Sequence, residues 1–216
     1  MNFTSMFTEP AVFIVWLLSV ILALTVHEFS HALAATWQGD DTAKRMGRLT
    51  LNPLAHMDLF GLLALVFVHF GWGKPVPFNP YNLRNRRWGA FLIGLAGPIS
   101  NLILLTISAV LLRVLAPALG GANLLVIFLV FSFFINTGLM LFNLIPLPPL
   151  DGSKLVLALL HGHKWDKLRY SIEYYGPYVL MVLILADVAL GVGLLSMLID
   201  RPLMWIMRIF GISALF

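Results

Sequence analysis

The sequence contains no cysteine and few charges. Without thiols there is no disulfide staple, no thiolate zinc site and no cysteine nucleophile, so any metal held here must rest on His, Asp or Glu. Charged residues make up 11% of the 216-residue chain, against about a quarter in a water-soluble domain. Water is therefore a poor solvent for much of its surface. The 60% hydrophobic content and mean hydropathy of +0.91 point to a bilayer instead. A formal net charge of +4 and a pI near 9.6 do not indicate nucleic acid. The cations lie in short loops between apolar runs rather than along one basic stripe, and the anionic face of a membrane accounts for them.

What is present is a series of long apolar runs. A spanning helix needs roughly 20 mostly apolar residues, and four segments qualify: 10–36, 88–113, 122–147 and 174–199. A fifth run, 59–72, is too short and contains His69, which predicts a re-entrant or membrane-embedded segment. On that topology, loops 37–87 and 152–173 share one side and hold eleven of the fourteen Lys and Arg residues. Arg113, Arg201 and Arg208 lie on the other. The positive-inside rule makes the rich side cytoplasmic and puts both chain ends outside. The first run has no Lys or Arg before it and continues past signal length, so it reads as a permanent helix. Three prolines in 74–87 predict extended chain or turns, and "GRLTLNPLAH" beside it predicts a small β element. "RPLMWIMRIFGISALF" at the C-terminus suits a helix lying at the interface. The expected fold is an all-α polytopic membrane protein with four long transmembrane helices. It forms one domain over 1–216, its core at about 10–160 and additional C-terminal helices over 174–216.

The first apolar run ends in HEFSH, residues 27–31. On a helix, positions i and i+4 share a face, so His27 and His31 can address one ion while Glu28 lies beside them. Zinc accepts two neutral imidazoles at this spacing, and the adjacent carboxylate can take a proton from water. The alternative is three polar residues merely bonded to neighbouring helices. That would cost several kcal/mol near a membrane with no return.

A third protein ligand is required, and Asp151 in "NLIPLPPLDGSK", 143–154, is the best candidate. Pro146, Pro148 and Pro149 stop the helix where the third span ends, freeing the carboxylate to turn inward. Gly152 would let the chain bend sharply after it. "PLPPLDG" could instead be only a helix stop and turn. The ends of the first and third spans fall on the same side in the expected topology, as a shared ion requires.

"HEFSHALAA" and "NLIPLPPLDG" together resemble the double signature of the site-2 protease family of intramembrane zinc metalloproteases. That signature is H-E-x-x-H on an early helix followed much later by N-x-x-P-x-P-x-x-D-G. "AGPISN" at 96–101 is similar to the Gly-Pro-x-x-Asn element of the family's middle core span. The resemblance implies one zinc ion per chain on His27, His31 and Asp151, Glu28 as general base, and Asn143 as the asparagine that helps stabilise the transition state. It implies a partly re-entrant, β-rich segment between the first two core helices. There is no room for the PDZ domain that some relatives carry.

The expected activity is hydrolysis of peptide bonds in a transmembrane protein substrate. The substrate would present an extended stretch to a strand edge in 37–87, near Asn79 and Pro80. The expected location is the plasma (inner) membrane of a prokaryote, multi-pass, with the active site near the cytoplasmic side. The expected partners are the substrate and the lipid bilayer, with homo-oligomer formation left open. Two alternatives are a membrane metal transporter and an inactive helix-binding relative; the converging ligands and the intact Glu28 favour the protease.

Other residues have simpler readings. Asn101 either bonds a neighbouring helix or approaches the active site. Ala90, Gly94 and Gly97 make a small-residue contact face, and Asn136 and Thr137 suit interhelical hydrogen bonds. Asp187, inside the fourth run, is expected protonated on a backbone carbonyl, along a substrate path, or at an oligomer contact, in that order. His56 and His69 are candidate secondary metal sites, more simply hydrogen-bonding residues. His161 and His163 face solvent in a basic loop.

Overall fold

The computed structural model describes residues 9–68, 71–191 and 193–212. Among these the chain forms α1 (Pro10–Trp37), a single turn α2 (Thr42–Arg45), α3 (Leu59–Val68), α4 (Gly89–Leu119), α5 (Leu124–Asn143), α6 (Ser153–Leu159), α7 (Asp166–Leu190) and α8 (Leu194–Ile209). Three of them, α1, α4 and α5, with 28, 31 and 20 residues, are long and apolar enough to cross a membrane. At 1.5 Å per residue even the shortest runs about 30 Å, the thickness of a hydrocarbon core.

Local chemistry sets where these helices begin and end. α1 opens on Pro10, whose missing N–H is no loss in a first turn, and runs without internal Gly or Pro to Trp37. Asn123 caps α5 by accepting the Leu125 N–H at 2.9 Å. The prolines from 146 onward prevent α5 from continuing past Asn143.

The three long helices pack against one another pairwise. Leu105, Ala109 and Leu112 of α4 meet Val126, Leu129 and Phe133 of α5 in the main core. Outward, Ile14, Leu18 and Leu22 of α1 and Ile99, Ile103 and Ile107 of α4 recur every four residues and are exposed. Inward, Ser19, Ser108, Ser132, Asn101 and Asn136 are buried. Apolar outside and polar inside is the arrangement that lipid solvates.

The expected fourth span is not one helix. Segment 174–199 divides between α7 and α8, because Gly191 and Gly193 adopt φ of 62° and 70°, a left-handed conformation that side-chain-bearing residues rarely take. α7 also begins earlier than expected, at Asp166, so its first turns are polar. The amphipathic C-terminal helix begins at Leu194 and seats Ile206 in the main core while Trp205 stays exposed.

Segment 59–72 doubles back. α3 has ten residues, about 15 Å of helix, half the hydrocarbon thickness. Met57 bridges Gly73, so the two ends lie side by side. Gly61 and Gly71 allow the return, since a Cβ on Gly61 would overlap the Trp72 carbonyl and one on Gly71 would overlap the Gly61 carbonyl. A helix this short with its flanking ends side by side does not cross a hydrocarbon core. His69 lies outside the described residues.

The expected β element shrinks to that one antiparallel bridge, extended by Lys74 N–H donating to the His56 carbonyl at 2.8 Å. The reason is local: Pro75, Pro77 and Pro80 have no N–H with which to continue a ladder. The extended stretch is held by side chains instead. Buried Asp40 accepts from Asn79 N–H at 2.6 Å, Asn82 Nδ2 at 2.9 Å and Thr42 Oγ1 at 2.6 Å. Burial alone would raise its pKa; these donors outweigh burial and hold the carboxyl below its ordinary value.

A group depressed in this way contributes stability above its unfolded pKa and loses it as pH falls through the folded value. Asp40→Ala is expected to loosen 78–84 at neutral pH by roughly 2–3 kcal/mol. The wild type should loosen the same stretch only below about pH 4. Hydrogen exchange of 78–84, corrected for the intrinsic rate at each pH, reads both.

Candidate metal centre

The last turns of α1 present His27 and His31 to α4, both buried. Gly97 is what lets them in. A Cβ there would stand 2.5 Å from His27 Cε1 and from His31 Nε2. The two Nε2 atoms are 3.0 Å apart.

The hydrogen bonds behind the rings decide which nitrogen carries the proton. His31 Nδ1 lies 2.6 Å from the Ile93 carbonyl, which can only accept, so this nitrogen donates and Nε2 is bare. For His27 the chain of hydrogen bonds starts further away. The Asn136 amide donates to the Ser132 carbonyl at 2.8 Å, so its Oδ1 faces Asn101 Nδ2, 2.7 Å away. Asn101 Oδ1 must then face His27 Nδ1, at 2.6 Å. That nitrogen is the donor, and Nε2 is again left with a free lone pair.

Asp151 completes a triangle. Its Oδ2 is 3.2 Å from His27 Nε2 and 3.1 Å from His31 Nε2. The loop that carries it is tied at its base, where Gly152 N–H donates to the Asn143 carbonyl at 2.7 Å. Gly152 has helical torsions. It is glycine because a Cβ would overlap the Leu144 carbonyl and stand 2.7 Å from the Ile145 oxygen. Gly94 makes a similar allowance, since its Cβ would lie 3.0 Å from the Asp151 carbonyl oxygen. Burial alone would raise the Asp151 pKa. Lys154, whose Nζ donates to Oδ1 at 2.6 Å, opposes that effect and favours the ionised carboxylate.

The donor set fits a zinc-type ion. In tetrahedral zinc sites with bonds of about 2.0–2.1 Å, ligand atoms lie about 3.3–3.4 Å apart, close to the 3.0–3.2 Å edges here. Asp151 Oδ2 is buried with no hydrogen-bond donor, facing two bare nitrogens. Three lone pairs at this spacing repel one another unless a cation lies between them.

Glu28 and Asn143 line the same cavity, of about 130 Å³, outside the ligand triangle. The Glu28 carboxylate turns toward Gly73, where a Cβ would lie 3.4 Å from its Oε1. The strip at 75–78 forms one wall. Arg48 pins that strip, donating to the Pro75 carbonyl at 3.1 Å and to the Lys74 carbonyl.

Residues 119–186, a stretch containing Asn143 and Asp151, match the profile described as Peptidase family M50. Over 173 residues the chain is 42% identical to "Putative zinc metalloprotease YwhC" of Bacillus subtilis, covering 77% of this chain and 78% of that protein. The chain belongs to peptidase family M50, the site-2 protease family. Other relatives include "Putative zinc metalloprotease Rip2" of Mycolicibacterium smegmatis, 34% identical over 149 residues, 65% of this chain and 55% of that protein. Rip2 of Mycobacterium tuberculosis is 28% identical over 189 residues, covering 83% and 70%. No solved structure matches the chain.

Among the described residues of this M50 chain, His27, His31 and Asp151 are the one group of three or more ligating side chains close enough to share an ion. His56 serves the loop instead: it is fully buried, with Nε2 2.7 Å from the Thr50 carbonyl. Asn136 does bond across helices, but Thr137 bonds back to Phe133 within its own helix. Exposed His163 pairs with Asp166, and Asp187 lies outside the cavity lining. Asn79 is fastened to Asp40, and neither Asn79 nor Pro80 lines the cavity.

Sequence reasoning missed Lys154 and Arg48. The signal for Lys154 was its place one turn after Asp151; for Arg48 there was none. The Asn101 bond also predicts an outcome. Asn101→Ala should weaken zinc affinity by about 10–100-fold with helical content unchanged, whereas Asn101→Asp, which keeps an acceptor for Nδ1, should lose less. Chelator competition on the purified protein measures both.

Proposed function

We propose that this chain is an intramembrane zinc metalloprotease that hydrolyses peptide bonds of transmembrane protein substrates. The observation that carries the reading is the triangle of two bare imidazole nitrogens and an unpartnered carboxylate oxygen, with a second carboxylate in the same cavity. The printed names of the YwhC and Rip2 relatives support it.

Held by His27, His31 and Asp151, zinc would supply the Lewis acidity that makes water nucleophilic near neutral pH and polarises a peptide carbonyl. Glu28 accepts the proton of the attacking water and returns it to the leaving nitrogen. Asn143 uses one N–H on the Leu139 carbonyl at 3.0 Å. Its second N–H is available to the oxyanion, a contact worth about 3 kcal/mol. Lys154 keeps Asp151 ionised and aimed.

A helical substrate hides its carbonyls and must reach this cavity extended. The strip Pro75-Val76-Pro77 supports such docking. Val76 lines the cavity, and among the described residues its amide is in no backbone hydrogen bond, so it can pair with a substrate carbonyl. A neighbouring apolar cavity of about 240 Å³ lies between α1, α5 and the re-entrant segment. Trp16, Val20 and Leu24 on its wall continue down one face of α1 to Glu28, as Ile135 and Leu139 lead along α5 to Asn143. It suits one large apolar substrate side chain next to the scissile bond.

A transporter would need ligating groups at several depths, and the described residues gather them at one level. The charge bias of the loops supports a cytoplasmic-side site in a prokaryotic plasma membrane. The exposed apolar part of α7 suits a fourth membrane-embedded helix.

Glu28→Gln should retain zinc and lose cleavage of a model transmembrane peptide by at least about 100-fold. Asn143→Ala should also retain zinc and lose about 100- to 1000-fold. Unchanged cleavage with Glu28→Gln would defeat the assignment. Bound zinc and cleavage are read on the same samples.

A further inference from the structure

Beyond Lys154, a second cavity of about 440 Å³ opens where the 78–90 segment, α6 and the start of α7 meet. Arg86, Arg87, Lys154 and Arg169 line it with His161, against a single carboxylate, Glu173. With Lys154 paired to Asp151, three arginines less one glutamate leave an excess of two positive charges around one space.

Lys154 is paired with Asp151, but the three arginines are not neutralised by the protein. Among the described residues no ion pair joins Arg86, Arg87 or Arg169 to a carboxylate, although Glu173 stands one helical turn from Arg169. Arg169 Nε is buried without any hydrogen-bond partner, a condition that costs about 1–3 kcal/mol and is relieved only by an acceptor. The other two guanidinium groups are held in place by contacts that use few of their donors. Arg87 gives Nε to the Ala158 carbonyl at 3.0 Å and lies 5.0 Å over the Trp88 ring, and Arg86 lies 5.8 Å over Tyr81. Several oriented forks converging on one cavity match an acceptor with several oxygens, which is phosphate rather than a lone carboxylate.

The rest of the wall narrows the source. Phe78, Leu157 and Ala158 are apolar, so the ligand carries carbon beside its charge. Ala90, in the first turn of a helix long enough to span the membrane, puts the cavity at the level where lipid headgroups lie. We propose that this cavity binds the phosphate of an anionic phospholipid headgroup. Lys154 forms part of its wall and also donates to Asp151 Oδ1 at 2.6 Å, so the lipid phosphate sits one side chain from a candidate metal ligand. The site stands independently of the protease reading.

The test uses the purified full-length chain in phosphatidylcholine nanodiscs doped with phosphatidylglycerol, with retained lipid read by native mass spectrometry. Arg169→Gln and Arg86→Gln should each weaken phosphatidylglycerol retention by about tenfold, while Arg45→Gln, an exposed cation outside the cavity, should not. Equal weakening by Arg45→Gln would show a diffuse charge effect and overturn the site. A cavity that prefers inorganic phosphate, with no preference for phosphatidylglycerol over phosphatidylcholine, would overturn the lipid source. Circular dichroism checks folding, and if Arg169→Gln does not fold, the exposed Arg86 position decides alone.

Discussion

Two imidazole nitrogens and a carboxylate oxygen, all three lone pairs turned toward one point and about 3 Å apart, form the constraint that the surrounding structure serves. Left to themselves such groups would move apart or take up protons. They are held because each is fastened from behind by a partner whose role is fixed. A backbone carbonyl orients His31, an amide chain ending on another backbone carbonyl orients His27, and an ammonium orients Asp151. The buried polar line through α4 and α5 is therefore a support for the candidate metal site as well as a helix contact.

Three helices can bring these groups together only because α4 has little side chain on the facing side. Gly97 gives way to the rings and Gly94 to the loop of Asp151. Pro98, next to Gly97 inside α4, lacks the N–H that would bond the Gly94 carbonyl, which loosens the helix at this level. The proline-rich loop then folds under α5 and closes on itself between Asn143 and Gly152. That closure puts the carboxylate ligand and the proposed oxyanion donor on one cavity.

Much of this was legible because it depends on local spacing. The i, i+4 histidines share a face in any helix, and prolines end a helix wherever they fall. That 59–72 is too short to span could be read from its length against the bilayer. Other features were not legible. The fourth run looked continuous by composition, and its break rests on the torsions of two glycines. The β element was expected from alternating residues, but the neighbouring prolines left one bridge. Gly152 was expected to ease a bend after Asp151, and the structure adds that the Leu144 and Ile145 carbonyls come too close for any side chain there.

By itself the sequence determined the chemistry available: which residues can ligate, which can move a proton, and that the solvent is lipid. Those properties belong to residue types and to the repeat of a helix, which are local. Only the tertiary structure decided that Asp151 meets His27 and His31, that Asn101 and Asn136 set a tautomer, and that Arg48 braces the cavity. Each joins segments far apart in the chain, and their distance in space depends on how three helices pack, which no single stretch encodes.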